Sequence, residues 1–283
     1  ELAKGPHKVG RSPGGGAVAA ARTAQGLLRV RDAQGVPQYR EEVPHVAFLG
    51  GAGHDELGAE LRDLLAKEGI KPLLSETDSE TTGWRAVLRS ERTVAAAERD
   101  VADAERAGRA EGREGRGPRD SDAPRPEAVS TVTFTGAARE YKIDHLRFKV
   151  WESVETARVV YVESYFLTVS AESAKIIAEH CAKMGNLFCL NLSAPYLCRY
   201  FYDRILALLP FVDYMFGSEA EYLALAEHSK ELAGRSIDGV LSWLSKQPRA
   251  DGAAGRRRYV VATCGHEPTI VAATWRGYGV KVQ

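Results

Sequence analysis

The stretch VVYVESYFLTVSAESAKIIAEHCAKMGNLFCLNL, residues 159–192, decides the fold class. It opens with a β-branched apolar run at 159–162, which predicts a buried strand. Apolar residues then recur at helical spacing over 174–181. A second apolar run follows at 187–192. Strand, helix and strand in this order predict a right-handed βαβ unit with two parallel strands.

The same alternation continues towards the C-terminus. The pattern predicts helices at 199–209 (closed by Pro210), 219–227 and 236–244, and strands at 212–216, 259–263 and 269–272. Strands separated by single helices predict an α/β fold with a mostly parallel central sheet and helices on both faces. In such sheets ligands bind beyond the carboxyl ends of the strands, so the residues just after each strand are the ones to read for chemistry.

Upstream, the sequence predicts a strand at 46–49, a Gly-rich turn at 50–55 and a helix that Asp55 caps and Gly69 ends. The turn resembles the start of a dinucleotide fingerprint, but Glu56 stands where the third glycine belongs, which excludes a nicotinamide site. It also mimics an anion hole beside an acid. We expect instead a tight strand–helix turn. A further helix is predicted over 17–28.

Residues 98–130 break the pattern, since they contain no aromatic residue, Leu or Ile and are rich in Asp, Glu and Arg. Such a stretch buries too little apolar surface to offset its ordering entropy. We therefore predict a polar insertion at about 96–134, disordered or a fluctuating helix. Its Ala, Arg, Gly and Glu bias suggests the hypothesis that it is translated intron sequence.

Composition excludes several classes of protein. The 283 residues carry 38 basic and 38 acidic side chains, so the net charge is zero and we expect no nucleic-acid partner. No run of 18 apolar residues occurs, so we expect no membrane partner. Four cysteines without a C-x-x-C pair suit a reducing compartment. The P-loop, H-E-x-x-H and G-x-S-x-G motifs are absent from the sequence. The chain starts without Met, which suggests a fragment.

The segments that follow the predicted strands carry a resemblance. Residues 163–170, 191–195, 216–221 and 263–265 resemble, in order and spacing, the ribokinase-like (PfkB) carbohydrate kinases. Further upstream, 44–58, which includes the Gly-rich motif at 53–58, is similar to the family's first Gly-rich signature region. Residues 82–83 and 90–95, continued by 136–141, are similar to its lid segment, which the insertion divides.

The resemblance implies a large α/β domain with a small β lid. The expected organisation is a partial N-terminal and lid segment (1–43), the first part of the α/β domain and lid (44–95), the insertion (96–134) and the main ATP- and nucleoside-binding domain (135–283). Its implied reaction moves the γ-phosphoryl of ATP, with Mg²⁺, to the 5′-hydroxyl of adenosine, giving AMP. We expect adenosine and ATP as partners of a monomer in the cytoplasm, with the nucleus as a second location.

Several positions match residues that bind the nucleoside in this family. The backbone of Gly14 and Gly15 would approach the ribose, Phe166 would stack on adenine, Tyr196 would be a second aromatic, and Arg92 would contact the transferred phosphate. The structural alternatives are a flexible Gly-rich tail, ordinary core aromatics and a solvated surface charge.

Four further positions match the nucleotide site. Ser218 and Glu221 correspond to an Asn-x-x-Glu element near magnesium and phosphate, with Glu221 reaching the metal through water. Thr263 and Gly265 correspond to a turn that lines the ATP site. A helix N-cap is the alternative for Ser218, and both roles are compatible. Asn191 and Ser193 are expected to be structural.

One departure from the family bears on activity. The signature Asp-Thr-Asn-Gly-Ala-Gly-Asp, whose last Asp is the family's catalytic base, does not occur in these 283 residues, and neither does the first strand with its ribose-binding Asp. We therefore expect a catalytically inactive chain. The alternatives are a non-catalytic paralogue that binds a nucleoside or a protein, and a kinase of another sugar or nucleoside.

Overall fold

The computed structural model describes residues 15–28, 45–90 and 128–273. The predicted ligands Gly14 and Arg92 lie outside these ranges, as does most of the predicted insertion.

The helices and strands alternate along most of the described chain. In order they are α1 (Gly16–Leu28), β1 (Ala47–Gly53), α2 (Glu56–Lys67), β2 (Lys71–Thr77), β3 (Thr82–Ser90), β4 (Ala128–Gly136), β5 (Val159–Glu163), α3 (Ser164–Met184), β6 (Leu187–Asn191), α4 (Pro195–Tyr200), α5 (Tyr202–Leu208), β7 (Tyr214–Ser218), α6 (Glu219–Ala226), α7 (Ile237–Lys246), β8 (Tyr259–Cys264) and β9 (Glu267–Ala273). Short helical turns fill the chain between β4 and β5, at Ala137–Glu140, Ile143–His145, Leu146–Val150 and Trp151–Glu155.

The central sheet has five strands in the order β5-β6-β7-β8-β9. Strands β5 to β8 are parallel, which confirms the predicted α/β class. Strand β9 was also predicted, and it pairs antiparallel to β8. The connection explains its direction, because only Gly265 and His266 separate the two strands and a crossover needs a dozen or more residues. Gly265 has a φ of 65°, which suits this tight hairpin.

The core lies between this sheet and its helices. Helix α3 buries the predicted stripe of Ala174, Ile177, Ala178 and Cys181. Its partners include Phe188 and Leu190 of β6, both fully buried. Burying an aliphatic or aromatic side chain of this size contributes about 1.5–3 kcal/mol, so this layer holds α3 firmly on the sheet. Within the described ranges, no helix is both long and apolar enough to span a membrane.

Two smaller strand pairs complete the fold. Strands β1 and β2 are parallel and joined by α2, so they form a second βαβ unit. Strands β3 and β4 form a pair of their own, in which the Trp84 and Phe134 rings lie 6.0 Å apart. Strand β4 begins at Ala128, so residues 128–134 belong to this pair and not to a disordered insertion.

Two predicted elements differ from the structure, and one strand was not predicted. Strand β1 runs on through the glycines to Gly53, so the turn before α2 is confined to His54 and Asp55. The single helix expected at 199–209 is two helices, because the chain breaks at Phe201, whose φ of −119° is not helical. Strand β2 was not predicted at all.

Candidate functional site

The carboxyl ends of the parallel strands meet at one edge of the central sheet. Glu163 of β5 is in register with Asn191 of β6, and Ser218 of β7 is in register with Thr263 of β8. The four segments singled out in the sequence therefore emerge side by side. Their order along the edge follows the order of the strands.

The β5 and β6 ends are joined by a hydrogen-bond network. The Ser164 hydroxyl donates to the Asn191 carbonyl oxygen at 2.7 Å, and the Ser164 amide donates to the Ser193 hydroxyl at 3.1 Å. The Asn191 side chain donates to the Tyr161 hydroxyl at 2.7 Å and accepts from the Ser193 amide at 3.1 Å. Ser193 holds a left-handed φ of 67°. Asn191 and Ser193 thus shape the loop after β6, in keeping with the structural role expected of them.

Ser218 and Glu221 form a capping box at the start of α6. The Glu221 amide donates to the Ser218 hydroxyl at 3.3 Å, and the Ser218 amide donates to a Glu221 carboxylate oxygen at 2.8 Å. This reciprocal pair satisfies two backbone donors at the helix start. The structure therefore accounts for both residues as a cap, and the proposed contact with phosphate and metal would come in addition.

Glu221 offers oxygen chemistry that fits magnesium. Carboxylate oxygens are the ligands that Mg²⁺ prefers, and the ion usually keeps several waters. Across residues 15–28, 45–90 and 128–273, no group of three or more His, Cys, Asp or Glu side chains is arranged to hold a metal. A water-mediated contact from Glu221 is the mode that this single carboxylate supports.

Thr263 and Gly265 flank the turn that ends β8. Thr263 is exposed, and its hydroxyl donates to the Gly217 carbonyl oxygen at 3.4 Å. Nothing lies within 4 Å of the position that a Cβ on Gly265 would take. Between them, the half-buried Cys264 is a free thiol. The turn therefore presents accessible backbone beside α6.

The two predicted aromatics each meet a tyrosine. Phe166 is half-buried, packs on the main core and meets Tyr141 edge-on at 5.2 Å between ring centroids. Tyr196 is 46% exposed and meets Tyr165 at 6.4 Å. Phe166 is therefore fixed in place by packing, whereas Tyr196 is free on one side.

The structure adds one residue to this edge that the sequence reasoning gave no role. A Cβ on Gly16 would lie 1.9 Å from a carboxylate oxygen of Glu163, so the start of α1 lies directly against the end of β5. Gly15, next to it, has a φ of 109° and open space where a Cβ would be. The second glycine of the predicted ribose pair is thus beside the same edge. The third glycine of the run, Gly16, could have indicated this contact, because a close approach to the backbone requires a residue without a Cβ.

The Gly-rich motif at 53–58 packs the chain closely and forms no anion hole. A Cβ on Gly58 would lie 2.1 Å from the Gly53 carbonyl oxygen, and one on Gly53 would lie 2.5 Å from the Glu80 carbonyl oxygen. Asp55 caps α2, as predicted, by accepting from the Gly58 amide at 2.8 Å. It also accepts from the Thr82 amide at 2.8 Å and the Thr82 hydroxyl at 2.5 Å.

These contacts favour the ionised form of the Asp55 carboxyl. Burial alone would raise the pKa of the carboxyl, but the hydrogen bonds from Thr82 and Gly58 outweigh it and lower the pKa below its usual value. The carboxylate is fully engaged inside the fold. The expected tight strand–helix turn accounts for the motif.

Comparisons with known proteins show the family of this chain and its fold. A family profile described as pfkB family carbohydrate kinase matches residues 125–283. Adenosine kinase 2 of Arabidopsis thaliana is 36% identical over 145 residues, which are 50% of this chain and 41% of that protein. Adenosine kinase of Schizosaccharomyces pombe is 38% identical over 146 residues, which are 50% of this chain and 42% of that protein.

Solved structures match over nearly the whole chain. An adenosine kinase from Schistosoma mansoni, in complex with adenosine in an occluded loop conformation, has a TM-score of 0.72 at 21% identity and covers 95% of this chain and 64% of that one. Anopheles gambiae adenosine kinase in complex with P1,P4-di(adenosine-5) tetraphosphate has a TM-score of 0.70 at 24% identity, covering 95% and 65%. The curated matches span only about two fifths of those relatives' own length.

Proposed function

This chain belongs to the pfkB family of carbohydrate kinases, and from that premise we propose that it is an adenosine kinase by lineage and binds adenosine and ATP at the carboxyl edge of the β5–β8 sheet. One observation carries the proposal. The segments that end β5, β6, β7 and β8 lie side by side, within residues 125–283, which match the family profile.

The nucleoside would lie near the β5 end. Phe166 would stack on the base, because its ring is held by Tyr141 and the core and so loses little freedom on binding. Gly15 would let its backbone approach the ribose, and Gly14 would do so with it. Tyr196 would close the second side of the base.

The nucleotide would lie near the β7 and β8 ends. Ser218 and the amide groups at the start of α6 would face phosphate, which a helix N-terminus favours. Thr263 and Gly265 would line the ATP. Glu221 would hold Mg²⁺ through water, and the ion would supply charge neutralisation for the phosphates. Arg92 would contact the transferred phosphate.

The reaction proposed for the lineage is transfer of the γ-phosphoryl of ATP to the 5′-hydroxyl of adenosine. The Gly-Ala-Gly-Asp segment that would supply the base and the anion hole does not occur in these 283 residues. Losing a general base costs a factor of about 10²–10⁴, and each lost anion-hole donor about 10²–10³. We therefore propose that the 283-residue polypeptide by itself binds without measurable turnover.

Calorimetric titration with adenosine, inosine and ribose tests the binding. We expect adenosine alone to bind, and Phe166→Ala to weaken it by roughly tenfold to hundredfold, the usual value of base–aromatic stacking. Tyr200→Ala is the matched control, since Tyr200 is 80% exposed. Equal binding of ribose would favour a kinase of another sugar. Robust AMP formation in a radiolabel assay would contradict the proposed inactivity.

A further inference from the structure

A cavity lies at the amino ends of β6, β7 and β8, opposite the carboxyl edge described above. Its volume is about 260 Å³, and three of its lining residues, Leu187, Tyr214 and Tyr259, are the first residues of β6, β7 and β8. Asp213, Arg256 and Arg257 complete the lining. A five-residue strand spans about 16 Å, so this cavity is separate from the edge described above.

Cationic side chains outnumber anionic ones around it. Asp213 is almost fully buried and accepts from Arg249 at 2.5 Å, with the Arg256 guanidinium at 3.3 Å and the Phe188 amide at 2.9 Å. Arg258, 1% exposed, lies in the same cluster and donates only to carbonyl oxygens, among them those of Val212 and Leu244. Asp213 thus contacts two of these three guanidinium groups, those of Arg249 and Arg256.

Three buried guanidinium nitrogens of this cluster have no hydrogen-bond partner among the described residues, and one of them, Nε of Arg256, is 3.3 Å from Asp213 as an ion-pair contact. Arg256 donates to the Asn186 carbonyl oxygen at 2.9 Å through one terminal nitrogen, but its buried Nη2 has no hydrogen-bond partner among the residues that the structure describes. The buried Nε of Arg249 has none within those residues either. A buried cationic donor without an acceptor is costly, and Arg256 lines the cavity.

The cavity also has a flat aromatic wall. The Tyr214 and Tyr259 rings stack across neighbouring strands with centroids 5.0 Å apart and planes 10° apart. This wall is preformed, because β-sheet pairing in register fixes both side chains. A rigid wall and an unused guanidinium donor together make a small site that favours an anion.

From this we propose that the amino end of the β6–β8 sheet holds a binding site for a phosphate-bearing anion, with Arg256 as its principal donor. The chemistry is charge-assisted hydrogen bonding to a phosphate oxygen, for which guanidinium is well suited. The proposal does not depend on the function assigned to the carboxyl edge.

Nuclear magnetic resonance of the 283-residue protein tests it. The ¹⁵N-labelled chain is titrated with inorganic phosphate at constant ionic strength, with sodium chloride as the control salt. We expect saturable shifts at the amides of Leu187, Tyr214 and Tyr259, whether or not Ser218 and Thr263, at the other ends of the same strands, also respond. Shifts confined to Ser218 and Thr263, or no saturable shift, would overturn the proposal.

A variant pair sharpens the result. Arg256→Gln should weaken phosphate binding by roughly tenfold or more, the usual loss for a charged hydrogen-bond donor. Arg147→Gln makes the same chemical change at an exposed arginine that pairs with Glu172, and should leave binding unchanged. Unaltered binding by a folded Arg256→Gln protein would refute the assignment. If that variant does not fold, the map of shifts in the unmutated chain decides alone.

Discussion

Substituting Gly58 by alanine tests whether the Gly-rich motif at 53–58 serves packing. Both Gly58 and Gly26 lie in helices, where alanine is favoured by about 1 kcal/mol over glycine. Their surroundings differ. A Cβ on Gly58 would lie 2.1 Å from the Gly53 carbonyl oxygen and 2.9 Å from the Thr82 hydroxyl, whereas nothing lies within 4 Å of one on Gly26.

The expected magnitude follows from these distances. Ordinary contact begins at 3.4 Å, so Gly58→Ala would have to move α2 away from the end of β1 by more than 1 Å. Overpacking of this kind costs about 1–3 kcal/mol, with backbone contacts at the upper end. After the helix gain, we expect a net loss of about 2 kcal/mol for Gly58→Ala. Gly26→Ala should gain about 0.5–1 kcal/mol.

Urea unfolding followed by circular dichroism measures both. For a slope of about 2 kcal/mol per molar, the Gly58→Ala midpoint should fall by about 1 M, while that of Gly26→Ala stays or rises. A Gly58→Ala protein as stable as the unmutated chain would refute the packing interpretation. The motif would then need a ligand-based explanation.

Four further results are expected. Arg258→Met should cost more than about 3 kcal/mol in urea unfolding, because it removes a charged donor that the carbonyl oxygens of Leu209, Leu244 and Gln247 share. Arg235→Met at an exposed site should change the stability little. Ser218→Ala should lower the free energy of unfolding by about 1 kcal/mol because it removes the N-cap of α6, whereas Ser218→Asn should preserve the cap and the stability. A Ser218→Ala protein as stable as the unmutated chain would disprove the capping role. The pKa of Asp55 is lower in the folded than in the unfolded protein, so its carboxylate stabilises the fold above the unfolded pKa, and this stabilisation is lost as the pH falls through the folded pKa. Asp55→Asn should therefore have a lower free energy of unfolding at neutral pH, and that free energy should fall less steeply below about pH 4. Burial raises the thiol pKa of Cys181 to about 11 and those of Cys189 and Cys198 to about 12. A disulfide reagent at neutral pH should therefore react with Cys264 alone in the native protein. Rapid reaction of more than one thiol would contradict the buried placement of the other three.

The sequence predicts the central sheet well because its strands are rich in apolar, β-branched and aromatic residues. Runs such as 159–162 and 187–190 are apolar throughout, and the helix between them has apolar residues at a 3.6-residue period. Strand β2 lacks this signal. It contains Lys71, Pro72 and Glu76, and its side chains are only half-buried or exposed. Parallel pairing with β1 makes it a strand, which is a tertiary effect that local composition does not encode.

Arg258 shows a second limit of prediction from sequence. It ends the run Arg256-Arg257-Arg258, and such a run is normally a solvated surface. Yet Arg258 is 1% exposed, since it is directly followed by β8 and sits below the ends of neighbouring helices. Its donors satisfy carbonyl oxygens there, while burial lowers its pKa to about 10. These carbonyl oxygens come together only when the helices pack, so the sequence around Arg258 gives no sign that it is buried.

The candidate site was predictable as a set of segments but not as a set of contacts. Parallel topology brings the ends of β5 to β8 together, which the order of elements already implies. Which side chains are used within the fold is a different question. Asn191, Ser193 and Ser218 are engaged in hydrogen bonds to neighbouring backbone and side chains. Phe166 is held by Tyr141, which lies 25 positions earlier in the chain and which no local pattern connects to it.

The two ends of the parallel strands carry different chemistry for one topological reason. In a βαβ fold each helix begins at the carboxyl end of one strand and ends at the amino end of the next, so free N–H groups gather at one edge and free carbonyl groups at the other. Ser218 and Glu221 accept hydrogen bonds from free N–H groups at the carboxyl edge. Arg258 donates hydrogen bonds to free carbonyl groups at the amino edge. The carboxyl edge therefore carries acids such as Glu163 and Glu221, and phosphates bound there would require a cation. Among the described residues of the amino edge, Arg249, Arg256 and Arg258 outnumber Asp213, which supports the anion site proposed there without a metal.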